Sequence, residues 1–492
     1  MQIKKILVKL ILWLIILTLL GAIGYGAYFL HRLNSLTNKV NIYQKPENLL
    51  DTISSVAQLA KNSSSELKNT DGERINILLL GVAGKGKPGQ NLTDTIMIAN
   101  INLKTNQVAL LSLPRDLYVT VPDSGWQTKI NAIYQSGLNS TNEEEKAIEP
   151  LLKTIKNVTS LDIHYYTVLN FDGFRQIIDA LGGVNVANER DIYDARYPGP
   201  NYSYETFDLK KGFQHLDGDT ALKYARERHD DPEGDFGRAK RQQQILQSTK
   251  NKLFSTKTLF DIFSVNKLFT ALGENVRTDL TSRELESFFE LSKKLDTNNI
   301  VNANVDAWNK DSLLKVSHVF YGETRTFILI PRVGNFSEIH DLAQNIFDLN
   351  KLKRRREEIT KENATVALIN KSGDNDVITK IKKLLNENLV YKNVIIVPDP
   401  SNKDLEDITN VYDSNSGTKP FTLDEIATRL PANVYYALPD KFKKITDKAA
   451  PDIVLVIGKD SIGKYNMPED TIEDLKKAQD DQDYLNMQNK SN

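Results

Sequence analysis

The chain has 492 residues, enough for two or three domains with a sizeable core, and its formal net charge at pH 7 is −1. A near-neutral balance argues against a general nucleic-acid binder, which ordinarily carries a strongly basic domain. Cysteine is absent, which excludes disulfide scaffolds, thiol nucleophiles and cysteine-ligated zinc sites.

An uncharged apolar stretch at residues 10–30 is the first element along the chain. At about 1.5 Å per helical residue it is long enough to cross a hydrocarbon core of ~30 Å. Lys4, Lys5 and Lys9 precede it, so the positive-inside rule places the N-terminus in the cytoplasm and the main domains outside. A cleaved signal peptide is the alternative, but its apolar region is usually shorter and ends at a small-residue site. We therefore predict that residues 1–33 are a single-pass anchor in the cell membrane.

Residues 34–72 are polar and predict a stalk, and a first folded domain follows at residues 73–350. Short apolar runs bounded by turn residues predict strands at 75–81, 95–101, 108–113, 165–170, 300–305 and 326–331. Helical patterns occur at 143–156, 173–181, 220–227, 239–253, 258–272 and 282–295. This mixture predicts an α/β fold in which helices cover both faces of a sheet, an α/β/α layer structure.

A second, smaller α/β domain is predicted at residues 363–460, after a charged linker at 351–362. Its strands are expected at 365–370, 394–397 and 452–458, and a helix at 374–389. Thr422 and Glu425 have the spacing of a capping box, which predicts a helix that begins there and ends near Leu430. The polar tail at 461–492 has the composition of a disordered segment.

A glycine run after the first strand has part of the P-loop pattern, at residues 81–87. Pro88 stands where that motif needs a hydroxyl for magnesium, and Pro88 with Gly89 prevents the helix whose N-terminus would hold the phosphates. A flexible loop beside the site is the better interpretation.

Five arginines in three short segments are the main chemical signal, because the chain as a whole is not basic. They are Arg115, Arg226, Arg228, Arg238 and Arg241. Guanidinium groups are always charged and offer a planar set of donors suited to phosphate oxygens. The first hypothesis is therefore a phosphate or pyrophosphate site. The alternative is that these arginines pair on the surface with the carboxylates of the intervening segment, Asp230, Asp231, Glu233 and Asp235.

Chain geometry limits how these arginines can converge. Arg226 and Arg228 are two residues apart, so they share a face only if the helix ends near Glu227. Arg238 and Gln242 are four apart and lie on one face of the next helix.

Other polar residues stand where predicted strands begin or end. Asp94 stands at the mouth of the strand at 95–101, and Arg115 with Asp116 follows the strand at 108–113, so a hairpin would bring them to one sheet edge. Lys129 and Asn131 follow in a loop that opens a helix.

At these residues the chain strongly resembles the LytR-CpsA-Psr family of cell-wall phosphotransferases. The matching blocks span residues 74 to about 250 in the family's order, after a single anchor; they are 77–81, 93–96, 111–119, 129–132, 221–231 and 234–243. Residues 363–460 resemble the LytR C-terminal domain, chiefly in the two apolar strands at 366–370 and 453–458.

The resemblance implies transfer of a glycopolymer from a polyprenyl-pyrophosphate carrier to a hydroxyl group of peptidoglycan. Carried over residue by residue, the pyrophosphate would be held by Arg115, Arg226, Arg228 and Arg238, with Gln242, Lys129 and Asn131 beside them. Asp94 would bind Mg²⁺, or Mn²⁺ in its place. Asp116 would act either as the catalytic base or as an ion-pair partner of Arg115, and we favour the ion pair.

One departure from the family pattern concerns the metal. The family often has an aspartate two residues after the strand glycine, where this chain has Ala83. Metal binding therefore has one fewer candidate carboxylate, and the site would either bind Mg²⁺ weakly or recruit Asp116 or Asp235. Two alternatives to a transferase therefore stay open: a non-catalytic protein that binds or regulates lipid-linked glycans, and a lipid-pyrophosphate hydrolase that uses water as acceptor. A DNA-binding regulator is disfavoured, because the anchor would keep the domain away from DNA.

Overall fold

The structure is a computed structural model, and it describes most of the chain after the predicted stalk. The described residues are 67–68, 72–141, 143–199, 203–227, 235–253, 273, 275–281, 284, 287–288, 291–292, 294–307, 312–321, 324–400 and 404–464. Within these ranges no helix is both long and apolar enough to cross a membrane. The predicted anchor at 10–30 and nearly all of the predicted stalk lie outside them, as do the helix predicted at 258–272 and most of the tail.

The chain forms two compact units. Unit 1 comprises Met1–Ser112, Tyr134–Ile148 and Asp162–Asn304, and unit 2 comprises Leu113–Ile133, Glu149–Leu161 and Val305–Asn492.

A mixed six-stranded sheet, in the order β11-β6-β1-β2-β3-β12, is the main sheet of unit 1. Its strands are β1 (Arg74–Val82), β2 (Thr95–Asn102), β3 (Gln107–Leu113), β6 (Tyr165–Asn170), β11 (Val276–Thr278) and β12 (Asp296–Asn304). Strand β1 is antiparallel to β2 and parallel to β6, while β3 is parallel to β12. The mixed α/β fold class is confirmed, and so is the adjacency of β2 and β3 across a short turn.

Strand β1 forms because its apolar side chains are buried at the centre of this sheet. Ile75 packs in a core with Ile101, Tyr165 and Leu280. The Tyr165 ring meets Phe288 edge to face at a centroid distance of 5.2 Å, and its hydroxyl donates to Glu284 Oε1 at 2.9 Å. Burial of apolar area at about 25 cal/mol per Å² makes such a core the main stabilising term of the sheet.

Unit 1 also contains three helices and two antiparallel strand pairs. The helices are α3 (Phe171–Ala180), α4 (Gly218–Arg226) and α5 (Asp235–Leu253). Strand β7 (Val184–Asn188) pairs with β10 (Gly212–Leu216), and β8 (Ile192–Pro198) pairs with the next strand β9 (Tyr204–Leu209). Their shared core includes Ile178, Val186, Phe207, Tyr224 and Ile245. These four strands were not predicted, although the alternating burial of β7 is the signal of a strand with one buried face.

Two helices, α1 (Ala132–Ser140) and α2 (Glu144–Thr159), follow the short hairpin of β4 (Tyr118–Thr120) and β5 (Gln127–Lys129). Most of α1 belongs to unit 1, and α2 is divided between the units. Unit 2 contains the antiparallel hairpin of β13 (Leu314–Tyr321) and β14 (Thr324–Pro331), followed by α6 (Ser337–Gln344).

A five-stranded sheet, in the order β16-β15-β19-β17-β18, completes unit 2. Its strands are β15 (Thr365–Asn370), β16 (Asn393–Ile396), β17 (Asn410–Asp413), β18 (Asn433–Tyr435) and β19 (Ile453–Ile457). The helices are α7 (Leu349–Glu362), α8 (Asn375–Lys383), α9 (Pro420–Arg429) and α10 (Asp440–Thr446). Val366 and Leu368 pack in one apolar cluster, and Ala367 and Ile369 in another, so both faces of β15 are covered.

The charged segment at 351–362, predicted as a linker, forms most of α7, because its charges find partners at close range. The last residue of the helix, Glu362, accepts hydrogen bonds from Thr422 N at 2.7 Å, from Thr422 Oγ1 at 2.6 Å and from Phe421 N at 3.0 Å. The predicted capping box at Thr422 and Glu425 is therefore wrong. Helix α9 begins at Pro420, and a carboxylate 60 positions earlier in the sequence satisfies the donors of its first turn.

Candidate functional site

Arg226 is the last residue of helix α4. The helix begins at the N-cap Asp217, whose side chain accepts a hydrogen bond from Thr220 N at 2.8 Å, and that bond lowers the pKa of the Asp217 carboxyl group. The helix ends at Arg226, and Glu227 is extended, with φ −56° and ψ 136°. This is the end that the sequence predicts, where the chain turns extended immediately before Arg228. Arg228 itself lies outside the described residues.

Two aromatic rings hold the guanidinium of Arg226. Its central carbon lies 4.7 Å from the Phe171 ring centroid and 5.6 Å from that of Tyr197. Burial of Tyr197 raises the pKa of its hydroxyl group, so this ring is neutral at physiological pH. A cation above a neutral ring is attracted by the ring quadrupole but keeps its charge. The arrangement orients Arg226 without neutralising it.

Helix α5 secures the end of α4 through two adjacent side chains. Arg241 is buried and donates from Nε to Tyr224 O at 2.9 Å and from Nη2 to Glu227 O. Gln242 donates to Ala225 O at 3.2 Å. These carbonyl groups belong to the last turn of α4 and to the residue after it. No N–H group within the helix donates to them, so side chains of α5 satisfy them. Arg241 therefore has a positioning role, and Gln242 contacts the helix that carries Arg226.

The two glutamines after Gln242 tie α5 to its surroundings. Gln243 donates to Ser112 Oγ at 3.1 Å and to Asn304 Oδ1 at 3.2 Å, which connects the helix to β3 and β12. Gln244 accepts a hydrogen bond from the Tyr224 hydroxyl at 2.8 Å. Neither residue was singled out from the sequence. The run of three glutamines beside the arginines was the available signal.

Arg238 and Asp94 are brought together in unit 1. Arg238 Nη2 donates to the backbone carbonyl of Asp94 at 3.1 Å. Asp94 immediately precedes β2, which starts at Thr95 opposite Gly81 of β1. A guanidinium and a carboxylate-bearing residue predicted for one site thus share a direct contact.

The glycine loop between β1 and β2 packs against the N-terminus of α3. Gly84 has φ +94°, and a Cβ there would lie 3.1 Å from Cβ of Asn170, the N-cap of that helix. Lys87 Nζ lies 2.5 Å from Asp172 Oδ2, and Ala83 is buried. The next element is strand β2 and not a helix, as expected from the failed P-loop pattern.

In unit 2, Asp116 links two candidate cations. Its Oδ1 accepts from Lys129 Nζ at 2.7 Å, and its Oδ2 lies 3.4 Å from Arg115 Nε. The side chain of Asp116 is only 15% exposed. A carboxylate held on both oxygens by cations favours the ion-pair alternative over the role of a base.

Backbone contacts place Asn131 in the same group. Its N–H donates to Arg115 O at 3.3 Å, and its side chain is buried. Lys129 Nζ also lies 5.9 Å from the Phe327 ring centroid. Arg115, Asp116, Lys129 and Asn131 therefore form one connected group in unit 2, while Asp94, Arg226, Arg238 and Gln242 belong to unit 1.

The metal prediction names Asp94, with Asp116 or Asp235 as further candidates. Both oxygens of Asp116 face cations, and the side chain of Asp235 lies outside what the structure describes. Among the described residues no group of three or more His, Cys, Asp or Glu side chains converges as a metal site. Mg²⁺ typically binds through one or two protein carboxylates together with substrate phosphates and water, so a single aspartate fits that ion when a pyrophosphate is present.

Comparison with known families gives a match that covers the whole predicted site. The model of the LytR_cpsA_psr family matches residues 37–326. This range contains every candidate residue named above, including Arg228.

Two similar curated proteins are teichoic acid transferases by name. The polyisoprenyl-teichoic acid–peptidoglycan teichoic acid transferase TagU of Bacillus cereus is 30% identical over 289 residues, which cover 58% of this chain and 83% of that protein. The TagU protein of Bacillus mycoides is 31% identical over 287 residues, covering 58% and 83%. Among solved structures, B. subtilis TagV is 25% identical, covers 57% of this chain and 99% of that one, and has a TM-score of 0.43.

Proposed function

Because this chain belongs to the LytR_cpsA_psr family, we propose that it is a phosphotransferase that moves a glycopolymer from a polyprenyl-pyrophosphate carrier to peptidoglycan. The observation that carries the proposal is the family match over 37–326, together with curated transferases of which this chain covers 83%. The geometry of unit 1 supports it, since two aromatic rings orient the Arg226 guanidinium without cancelling its charge, and Arg238 contacts the backbone of Asp94.

The reaction requires attack of an acceptor hydroxyl oxygen on the phosphorus that carries the glycopolymer. A new P–O bond to peptidoglycan forms, the bridging P–O bond breaks, and polyprenyl phosphate leaves while the hydroxyl proton passes to solvent or a base. Positioning and charge stabilisation dominate such transfers. In this proposal Arg226 and Arg238 bind pyrophosphate oxygens and stabilise the negative charge that develops on the leaving group.

The other predicted residues have supporting roles in the proposal. Arg241 and Gln242 fix the end of α4 and thereby the position of Arg226. Asp116 orients Arg115 through the ion pair and is not assigned as the base. Asp94 would hold Mg²⁺, which when bound neutralises charge on phosphate oxygens. The pyrophosphate-binding roles of Arg115, Lys129, Asn131 and Arg228 stay predictions from the resemblance.

We further propose the membrane location that the sequence predicts. Residues 1–33 would anchor the protein with its N-terminus in the cytoplasm, and both units would face the cell wall, where the lipid carrier and peptidoglycan meet.

The test is a transfer assay with the full-length protein in detergent. The protein is incubated with Mg²⁺, a polyprenyl-pyrophosphate-linked sugar and a peptidoglycan oligomer, and the products are identified by mass spectrometry. We expect a phosphodiester-linked sugar on the oligomer and release of polyprenyl phosphate.

Two other outcomes would replace this proposal. Release of polyprenyl phosphate at the same rate without the oligomer would identify a hydrolase. Tight lipid binding without any product would identify a binding protein, and Ala83→Asp would then be the variant to test for gain of metal-dependent turnover.

A further inference from the structure

Tyr197 has a buried hydroxyl group that makes no hydrogen bond in the part of the chain that the structure describes. The side chain is 2% exposed, and its Oη atom has no donor or acceptor within reach there. A buried polar group without a partner lowers stability, so native proteins keep few of them. Phenylalanine would fill the same space without that cost, which points to a functional reason for the hydroxyl group.

Packing fixes the position of the Tyr197 ring. Tyr197 belongs to the apolar core that β8 shares with the helices of unit 1, and its ring centroid lies 5.5 Å from that of Phe207. The central carbon of the Arg226 guanidinium lies 5.6 Å from the same centroid. A ring held between such neighbours keeps its hydroxyl group in one place, so a ligand would bind it without the cost of ordering a mobile side chain.

The electrostatic surroundings keep this hydroxyl group protonated and close to a cation. Burial raises the pKa of Tyr197, and Arg226, the charge with the largest effect on this pKa, acts in the opposite direction. Two carboxylates with smaller effects, Glu205 and Asp219, are paired with Lys223 Nζ at 2.9 and 3.1 Å. At neutral pH the hydroxyl group can therefore donate a hydrogen bond, but it cannot act as a base.

An anion bound by Arg226 would supply the acceptor that Tyr197 lacks. Arg226 is partly exposed, so such an anion can approach it from solvent. A phosphate group carries several oxygen atoms, so one can accept from the guanidinium while another accepts from the Tyr197 hydroxyl group. Hydrogen bonds to charged acceptors are the stronger ones, which offsets the cost of keeping the donor buried.

We propose that the Tyr197 hydroxyl group donates a hydrogen bond to the phosphate group that Arg226 binds. The assignment rests on the proposed function for the identity of that ligand as a polyprenyl pyrophosphate. The proton stays on Tyr197 throughout, because the hydroxyl group contributes a contact and no proton transfer. Tyr197 therefore increases affinity for the phosphate at the expense of stability in the unbound protein.

Calorimetry with geranylgeranyl pyrophosphate and the full-length protein in detergent tests this assignment. Tyr197→Phe removes the hydroxyl group but keeps the ring beneath Arg226, and it should weaken binding about tenfold, the scale of one hydrogen bond to a charged group. Tyr391→Phe is the matched control and should leave the affinity unchanged. The Tyr391 hydroxyl group, in unit 2, is likewise buried and makes no hydrogen bond to the residues that the structure describes.

Two further measurements separate ligand binding from a structural role. Geranylgeraniol, which has no phosphate, should bind equally to wild-type protein and Tyr197→Phe. In urea unfolding without ligand, Tyr197→Phe should be at least as stable as wild-type protein, since it loses an unsatisfied buried group.

Equal affinity of wild-type protein and Tyr197→Phe for geranylgeranyl pyrophosphate would overturn the proposal. A less stable Tyr197→Phe that also binds geranylgeraniol more weakly would overturn it too, because the hydroxyl group would then be structural. Wild-type protein that binds the pyrophosphate through Tyr197 but transfers nothing would support this assignment and refute the proposed transferase. Wild-type protein that binds no pyrophosphate lipid would refute both.

Discussion

Arg429 of unit 2 and Arg226 of unit 1 have different kinds of partners. Arg429 has a side chain only 5% exposed and contacts Asp341 Oδ2 at 2.5 Å and Glu425 Oε1 at 2.9 Å. Arg226 lies over two aromatic rings. Carboxylates cancel the charge of a buried guanidinium, whereas rings only orient it. The comparison distinguishes an arginine that stabilises the fold from one whose charge can act on an anionic substrate.

The largest expected effect is that of Arg226→Ala on transfer. Removing one charged donor from the developing phosphate charge should lower kcat/KM at least about 300-fold, or about 3.4 kcal/mol. The matched control is Arg175→Ala, because Arg175 is paired with Asp172 in the same unit. We expect the control to stay within about threefold of wild type in the same assay. Full activity in both Arg226→Ala and Arg228→Ala would contradict the assignment of these arginines to pyrophosphate binding.

Arg429→Ala should act on stability instead. It leaves Arg355, at 3.0 Å from Glu425 and 3.5 Å from Asp341, as the cation beside these two carboxylates. Breaking a buried pair typically costs about 3 kcal/mol, and the cost here should approach but not exceed that value. Urea unfolding measures this change, and Arg354→Ala provides the control, since its pair with Asp348 is exposed and worth less than about 1 kcal/mol. Transfer by Arg429→Ala below its melting temperature should be near wild type. A hundredfold loss of transfer in a folded variant would contradict the purely structural role of Arg429.

Arg241→Lys should have an intermediate effect, because it keeps the charge but loses the two-point contact with Tyr224 O and Glu227 O. A displaced α4 end should lower kcat about tenfold with little change in KM for the acceptor. Steady-state kinetics would show this split, and exposed Lys240 on the same helix offers the control Lys240→Ala. An unchanged kcat would mean that Arg241 only stabilises the fold.

The smallest effect concerns the glycine loop and depends on pH. The hydrogen bond from Lys87, followed by that from Arg175, holds the pKa of Asp172 below its usual value. A carboxyl group whose pKa is lower in the folded state stabilises the fold at pH values above its ordinary pKa. This contribution to the free energy of unfolding is lost as the pH falls through the folded-state pKa. Lys87→Met should therefore cost up to about 0.5 kcal/mol at neutral pH, and the difference should shrink as the pH falls below the ordinary carboxyl range. A difference that grows at acid pH, measured by urea unfolding, would contradict this.

The features predicted correctly from the sequence are those that depend on residues close together in the chain. Strand β6 has the predicted bounds, and α4 ends at Arg226, one residue before the predicted end at Glu227. Apolar periodicity and turn residues determine both features. The sequence also placed Asp94 at the start of β2.

Non-local contacts explain what the sequence did not predict. Glu362 satisfies the first turn of α9 from 60 residues away, so a capping box inside Thr422–Glu425 was the wrong inference. The rings beneath Arg226 come from α3 and β8, and nothing in the spacing of Phe171 and Tyr197 indicates that they share one cation. Such contacts depend on tertiary packing.

The central claim is that the positive charge of Arg226 binds a pyrophosphate group. Calorimetric binding of geranylgeranyl pyrophosphate and geranylgeranyl monophosphate to the full-length protein tests it most directly. We predict that wild-type protein and Arg175→Ala bind the pyrophosphate at least about tenfold more tightly than the monophosphate, and that Arg226→Ala loses this preference. A folded Arg226→Ala protein that keeps the full preference would contradict the account.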